Sequence, residues 1–172
     1  MVKFLGCILV LACSAALGTA GARDLKRHCA ELHGLKQAIY MLRGEIQYSR
    51  SPLPDVFAIL AERAAPPFSC FFGNLERELD RQEGRSLKEI WECEMAHSLK
   101  GSTLKQAEKQ SLKQLGDGLG YLDLEMQLAT IELYLEQLNE AIAAASGELE
   151  EKQKLYRSLG IAGGVFLVIF LV

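Results

Sequence analysis

From Asp123 to Val172 the chain runs for fifty residues without a proline, and its pattern changes partway from amphipathic to wholly apolar. Leu124, Leu128, Ile131, Leu135, Leu138, Ile142, Ala145 and Leu149 recur at alternating spacings of four and three. That spacing predicts one buried stripe along a long helix. Glu148 with Lys152, and Glu150 with Lys154, stand four apart in the favourable order, supporting the helix where the stripe fades. Beyond Ser158 no charged side chain occurs from Leu159 to Val172. Fifty helical residues reach roughly 75 Å at about 1.5 Å each. The stretch implies a single rod, its first part packed in a bundle and its last part in lipid.

The opposite end has a matching run. Phe4 to Ala22 is 19 residues without a charge, close to the roughly 20 that cross a bilayer core of about 30 Å. The C-terminal run of 14 residues reaches only roughly 21 Å as a helix. It therefore needs help from Leu155 and Tyr156, a snorkelling Arg157 or locally thinned lipid. As the second leg of a hairpin it gains support: Gly160 and Gly164 form one small-residue face, and Gly18 with Ala22 forms another. Arg23, Lys26 and Arg27 follow the first run, and Lys152, Lys154 and Arg157 precede the second. The positive-inside bias then places residues 23–158 in the cytoplasm. Two other readings of the N-terminus exist, a secretory signal ending at Ala20-Gly21-Ala22 and a lipoprotein signal acylated at Cys13. The basic residues directly after the run oppose both. The expected organisation is a transmembrane helix over 1–22, a cytosolic helical domain over 23–158 and a transmembrane helix over 159–172.

The middle segment is large enough for one core and too small for two. A net charge of −3 with interleaved signs leaves no nucleic-acid footprint. Cys29, Cys70 and Cys93 outside the first run are an odd set that reads as reduced thiols and not as a disulfide framework.

Within that segment the apolar positions Leu25, Cys29, Leu32, Leu35, Ile39, Leu42 and Ile46 predict a helix from about Arg23 to Tyr48. Ser51-Pro-Leu-Pro54 stops it, and Pro54 suits the first turn of a second helix over 55–63. A third helix over about 68–82 carries Phe68, Phe71, Phe72, Leu75 and Leu79 on one face. Ser86-Leu-Lys-Glu89 is a capping box that starts a fourth, burying Leu87, Ile90, Trp91 and Met95. Ser102 or Thr103 is the expected cap of a fifth, and the glycines at 116, 118 and 120 read as turns that break it. Asp123 is placed to cap the sixth. With no strictly alternating stretch and short connections, the fold class is all-α: an antiparallel six-helix bundle between two transmembrane helices, its last helix continuous into the membrane.

Four blocks in this order carry a family likeness: Leu42-Arg-Gly-Glu45-Ile-Gln-Tyr48; Pro52-Leu53-Pro54; Leu115-Gly116 to Leu119-Gly120 with Asp123 and Gln127; and Tyr156-Arg-Ser-Leu-Gly160 before an apolar tail. Over its whole length the chain resembles the stage III sporulation protein AB family. Its middle is more distantly similar to the helical domain of the inner-membrane platform proteins of type II secretion and type IV pilus systems. The resemblance implies a non-enzymatic scaffold or adaptor in endospore formation, in the mother-cell membrane facing the forespore. Its implied partners are a cytosolic sporulation ATPase and the other membrane proteins of a secretion-like channel, with no small-molecule substrate. It also draws attention to Glu45, Tyr48, Pro52, Leu53, Pro54, Gly116, Gly120, Asp123 and Gln127 as an interaction or structural motif. Gly44 inside the first helix departs from what a straight helix wants, at about 1 kcal/mol relative to alanine.

Chemistry at individual residues is sparse. Cys29 with His33, and Cys93 with His97, are spaced four apart on predicted helices, so two helices together offer a thiolate and imidazole set for one zinc ion or a thiol enzyme. The competing reading is that Cys29 continues an apolar stripe as a small hydrophobe and that both histidines are solvated. Asp123 reads as a cap with Gln127 bonded nearby, Glu45 as a surface or salt-bridging carboxylate, and Tyr48 as packed against the start of the second helix. The three glycines lack the strand before them and the Gly-Lys-Ser/Thr after them that a phosphate loop needs. No cofactor is expected.

Overall fold

The computed structural model describes residues 2–49, 51–81, 84–120 and 123–171, with side chains described from residue 23 onward except at 156, 157 and 159–171. The described residues form six α-helices and no strand: α1 Val2–Gly44, α2 Leu53–Arg63, α3 Phe68–Asp80, α4 Leu87–Ser98, α5 Gln106–Leu119 and α6 Leu124–Leu171. Among the described residues no helix is long and apolar enough to cross a membrane. The apolar runs on which both expected spans rest have their side chains outside the described residues. So does the expected packing of Gly18, Ala22, Gly160 and Gly164.

The chain divides into two compact units, residues 1–29 with 143–172 and residues 30–142. In the first, Leu25, His28, Cys29 and Ala145 are buried. Lys152 Nζ meets Glu148 at 2.8 Å, the ion pair expected from their spacing.

The second unit holds an aromatic core. Pro52 precedes α2 and Pro54 sits in its first turn, where a missing N–H costs nothing because no acceptor lies above it. α2 turns Val56, Phe57 and Leu60 inward, and α3 turns in Phe68, Phe71, Phe72 and Leu75. α2 packs on α3, α3 on α4 and α4 on α5, and the short links between them require successive helices to reverse direction. Trp91 of α4 is wholly buried, edge-on to Phe71 with centroids 5.0 Å apart and 6.1 Å from Phe57. Its indole N–H donates to the Leu112 carbonyl at 3.0 Å, so the ring is buried without leaving a donor unmet. The expected capping box is present: Ser86 Oγ accepts from the Glu89 N–H at 3.3 Å, and Glu89 accepts from the Ser86 N–H at 3.0 Å.

Three expectations need correction. Neither Ser102 nor Thr103 caps α5, which begins at Gln106. The Thr103 N–H is instead taken by the Glu31 carboxylate at 2.7 Å. That bond draws the chain across α1 and buries Leu104, and Glu108 then accepts from the Lys105 N–H at 2.6 Å to start the helix. Gly116 and Gly118 are not turns but lie inside α5. A Cβ at Gly116 would stand 2.4 Å from the Trp91 ring, and one at Gly118 would stand 2.4 Å from Thr130 Cγ2. Glycine there permits close approach of α5 to α4 and α6. The first helix also does not stay α-helical to Tyr48, because after Gly44 the backbone widens into a π-helical turn, Glu45–Ser49.

Candidate functional site

The π-helical turn carries the residues singled out after Leu42, Glu45 and Tyr48. Ile46 is buried while Tyr48 is 81% exposed, which overturns the expected packing of Tyr48 against α2. Tyr48 stands two residues after Ile46, which puts the two side chains on nearly opposite sides of a helical turn, so Tyr48 lies off the face that Leu42 and Ile46 share. Glu45 accepts a hydrogen bond from Ser49 Oγ at 2.7 Å within the same turn. Pro52 is exposed, and Leu53 and Pro54 are half-buried at the start of α2.

The second group lies at the junction of α5 and α6. Asp123 Oδ1 accepts from the Glu125 N–H at 3.2 Å, and the Asp123 carbonyl accepts from the Gln127 N–H at 3.0 Å. The expected cap therefore forms. Gln127 Nε2 reaches back to the Leu119 carbonyl at 2.9 Å, tying α6 to the end of α5 at Gly120. Lys88 bonds Asp117 at 3.1 Å, joining α4 to the same turn of α5. Arg43 at the end of α1 pairs with Glu132 of α6 at 2.7 Å, and Tyr48 and Met126 both lie within roughly two helical turns of that pair along the chain.

Sequence reasoning missed the outer face of α6. Met126 is 53% and Leu133 57% exposed, seven residues apart and off the buried stripe, with Glu125, Glu132, Glu136 and Glu140 exposed around them. The spacing itself was the available signal, since two large apolar side chains one heptad apart share a face.

The profile of the stage III sporulation protein AB family matches residues 3–172. The chain belongs to the stage III sporulation protein AB family. The stage III sporulation protein AB of Bacillus subtilis (strain 168) is 29% identical over 171 residues, covering 99% of each chain. A solved structure of a stage III sporulation protein AB superposes with a TM-score of 0.67 at 29% identity, over 72% of this chain and 97% of that one. Stage III sporulation protein AB is a sporulation family, and its fold here brings no three metal-ligating side chains together among the described residues. Cys29 is buried and His33 exposed, while Cys93 and His97 are both exposed on α4.

Proposed function

We propose that this member of the stage III sporulation protein AB family is a membrane-anchored, non-enzymatic scaffold of a secretion-like channel needed for endospore formation. It holds its helical domain on the cytoplasmic side of the mother-cell membrane facing the forespore. There it docks a cytosolic ATPase beside membrane components of the channel. The observation that carries this reading is α6, one uninterrupted helix from Leu124 to Leu171. A helix without a Gly/Ser/Pro-rich linker transmits displacement or rotation, whereas a flexible linker absorbs it. Exposed Tyr48 and Met126 offer the aromatic and thioether side chains that protein interfaces favour, and the exposed acidic side chains of α6 suit a basic partner surface.

Photo-crosslinking in sporulating cells tests the docking claim. A crosslinker at position 48 or 126 is expected to give an adduct with the ATPase, while one at Arg63 gives none. Adducts from Arg63 with none from 48 or 126 would overturn the docking face.

A further inference from the structure

Between α3 and α4, on the side away from the aromatic core, lies a cavity of about 230 Å³ lined by Asn74, Arg77, Glu78, Arg81, Cys93, Glu94 and His97. Its charges are unevenly committed. Glu78 is held by both Arg81 and Arg85, and Glu94 accepts from Ser98 Oγ at 3.4 Å. Arg77, like Glu94, meets neutral groups only: its Nε donates to the Gly73 carbonyl at 3.0 Å and one Nη donates to Asn74 Oδ1 at 2.9 Å. Asn74 is itself fixed by its bond to Ser98 at 3.0 Å. The guanidinium is thus braced at two points by neutral groups, and among the described residues no carboxylate pairs with it. A braced guanidinium loses little side-chain freedom on binding and presents its remaining donors in a fixed fork. Carboxylates and phosphates are the groups that fork fits, and His97, lining the cavity from α4, adds a further donor.

We infer that this cavity binds a small oxyanion, a carboxylate or phosphate group held chiefly by Arg77. The site is separate from the faces of Tyr48 and α6 and does not depend on the scaffold reading. Arg85 reaches the cavity-lining Glu78 at 3.3 Å.

Cys93 provides a reporter inside the cavity, and Cys70, also exposed on α3, provides a control outside it. The full chain, purified in detergent, is alkylated with neutral iodoacetamide in the presence of inorganic phosphate, malonate or chloride at matched ionic strength. Peptide mass spectrometry then gives the rate at each cysteine. Phosphate or malonate at millimolar concentration is expected to slow Cys93 several-fold in a saturable way, leaving Cys70 unchanged, and chloride to do neither. The more effective anion tells a phosphate-bearing from a carboxylate-bearing ligand. Arg77→Gln, with helicity and Tm unchanged, is expected to remove the protection. Should that variant not fold, His97→Gln is expected to weaken it. Equal effects on both cysteines, no protection by either oxyanion, or full protection in folded Arg77→Gln would overturn the site.

Discussion

At the scale of single residues, the tightest constraint is the contact of Gly116 with Trp91. The indole is wholly buried and anchored by its N–H, so it cannot retreat from a new methyl group 2.4 Å away. Gly116→Ala should cost about 1–3 kcal/mol, the range for overpacking a filled core, seen as a lowered denaturation midpoint. An unchanged midpoint would mean that α5 is free to move off α4. Gly118→Ala meets Thr130, a half-buried side chain, so trimming its neighbour with Thr130→Ala should restore most of the loss. Tyr134 gives a pH signature. It is 3% exposed, its hydroxyl has no partner among the described residues, and burial, with Glu108 adding, pushes its phenol up. A raised folded value means the contribution is whole below the unfolded value near about pH 10 and is lost as pH rises through the folded one. Tyr134→Phe should extend alkaline stability and change neutral stability by no more than about 1 kcal/mol. Identical alkaline unfolding curves, followed by circular dichroism, would refute this.

At the scale of elements, the helix ends decide the layout. Asp123→Ala removes the cap of α6 and should destabilise by about 0.5–2 kcal/mol, measured by denaturant titration. Ser86→Ala should cost a similar amount by opening the capping box of α4. If both variants matched the parent, capping would not be what fixes these termini. Most of this layer was legible in the sequence, because the heptad spacing of α6, the Ser86-Glu89 box and the Pro-Leu-Pro start of α2 are local signals. What was not legible depends on distant partners. The start of α5 lies past Thr103, with Glu108 taking the Lys105 N–H, and the Thr103 N–H goes to Glu31, far away in the chain. The glycines of α5 looked like turns because their reason, a ring of α4 and a threonine of α6, is tertiary. Tyr48 was misplaced although its position two residues after Ile46, on nearly the opposite side of a helical turn, already pointed it outward. Of the motif residues, Asp123 and Gln127 form the junction read from sequence, while Glu45 and Tyr48 ended on a differently wound segment.

At the scale of the whole molecule, the proposal is mechanical: a bundle that moves with its anchors. It makes the winding of α6 after the bundle matter more than the identity of the side chains there. Glu148 and Lys152 pair at 2.8 Å with both side chains 42% exposed, so the bond is worth only about 0.3–0.5 kcal/mol. Glu148→Gln should therefore leave sporulation intact. A severe defect from that single change would mean that this segment is a binding surface and not a strut. The most direct measurement compares two insertions after Glu151, Gly-Ser-Gly and a seven-residue alanine-rich helical segment. The first breaks the helix, while the second lengthens it by about two turns and nearly keeps its phase. With protein level and membrane fraction matched, spore yield should collapse for Gly-Ser-Gly and be largely retained for the helical insert. Normal yield from the Gly-Ser-Gly variant would contradict transmission through α6.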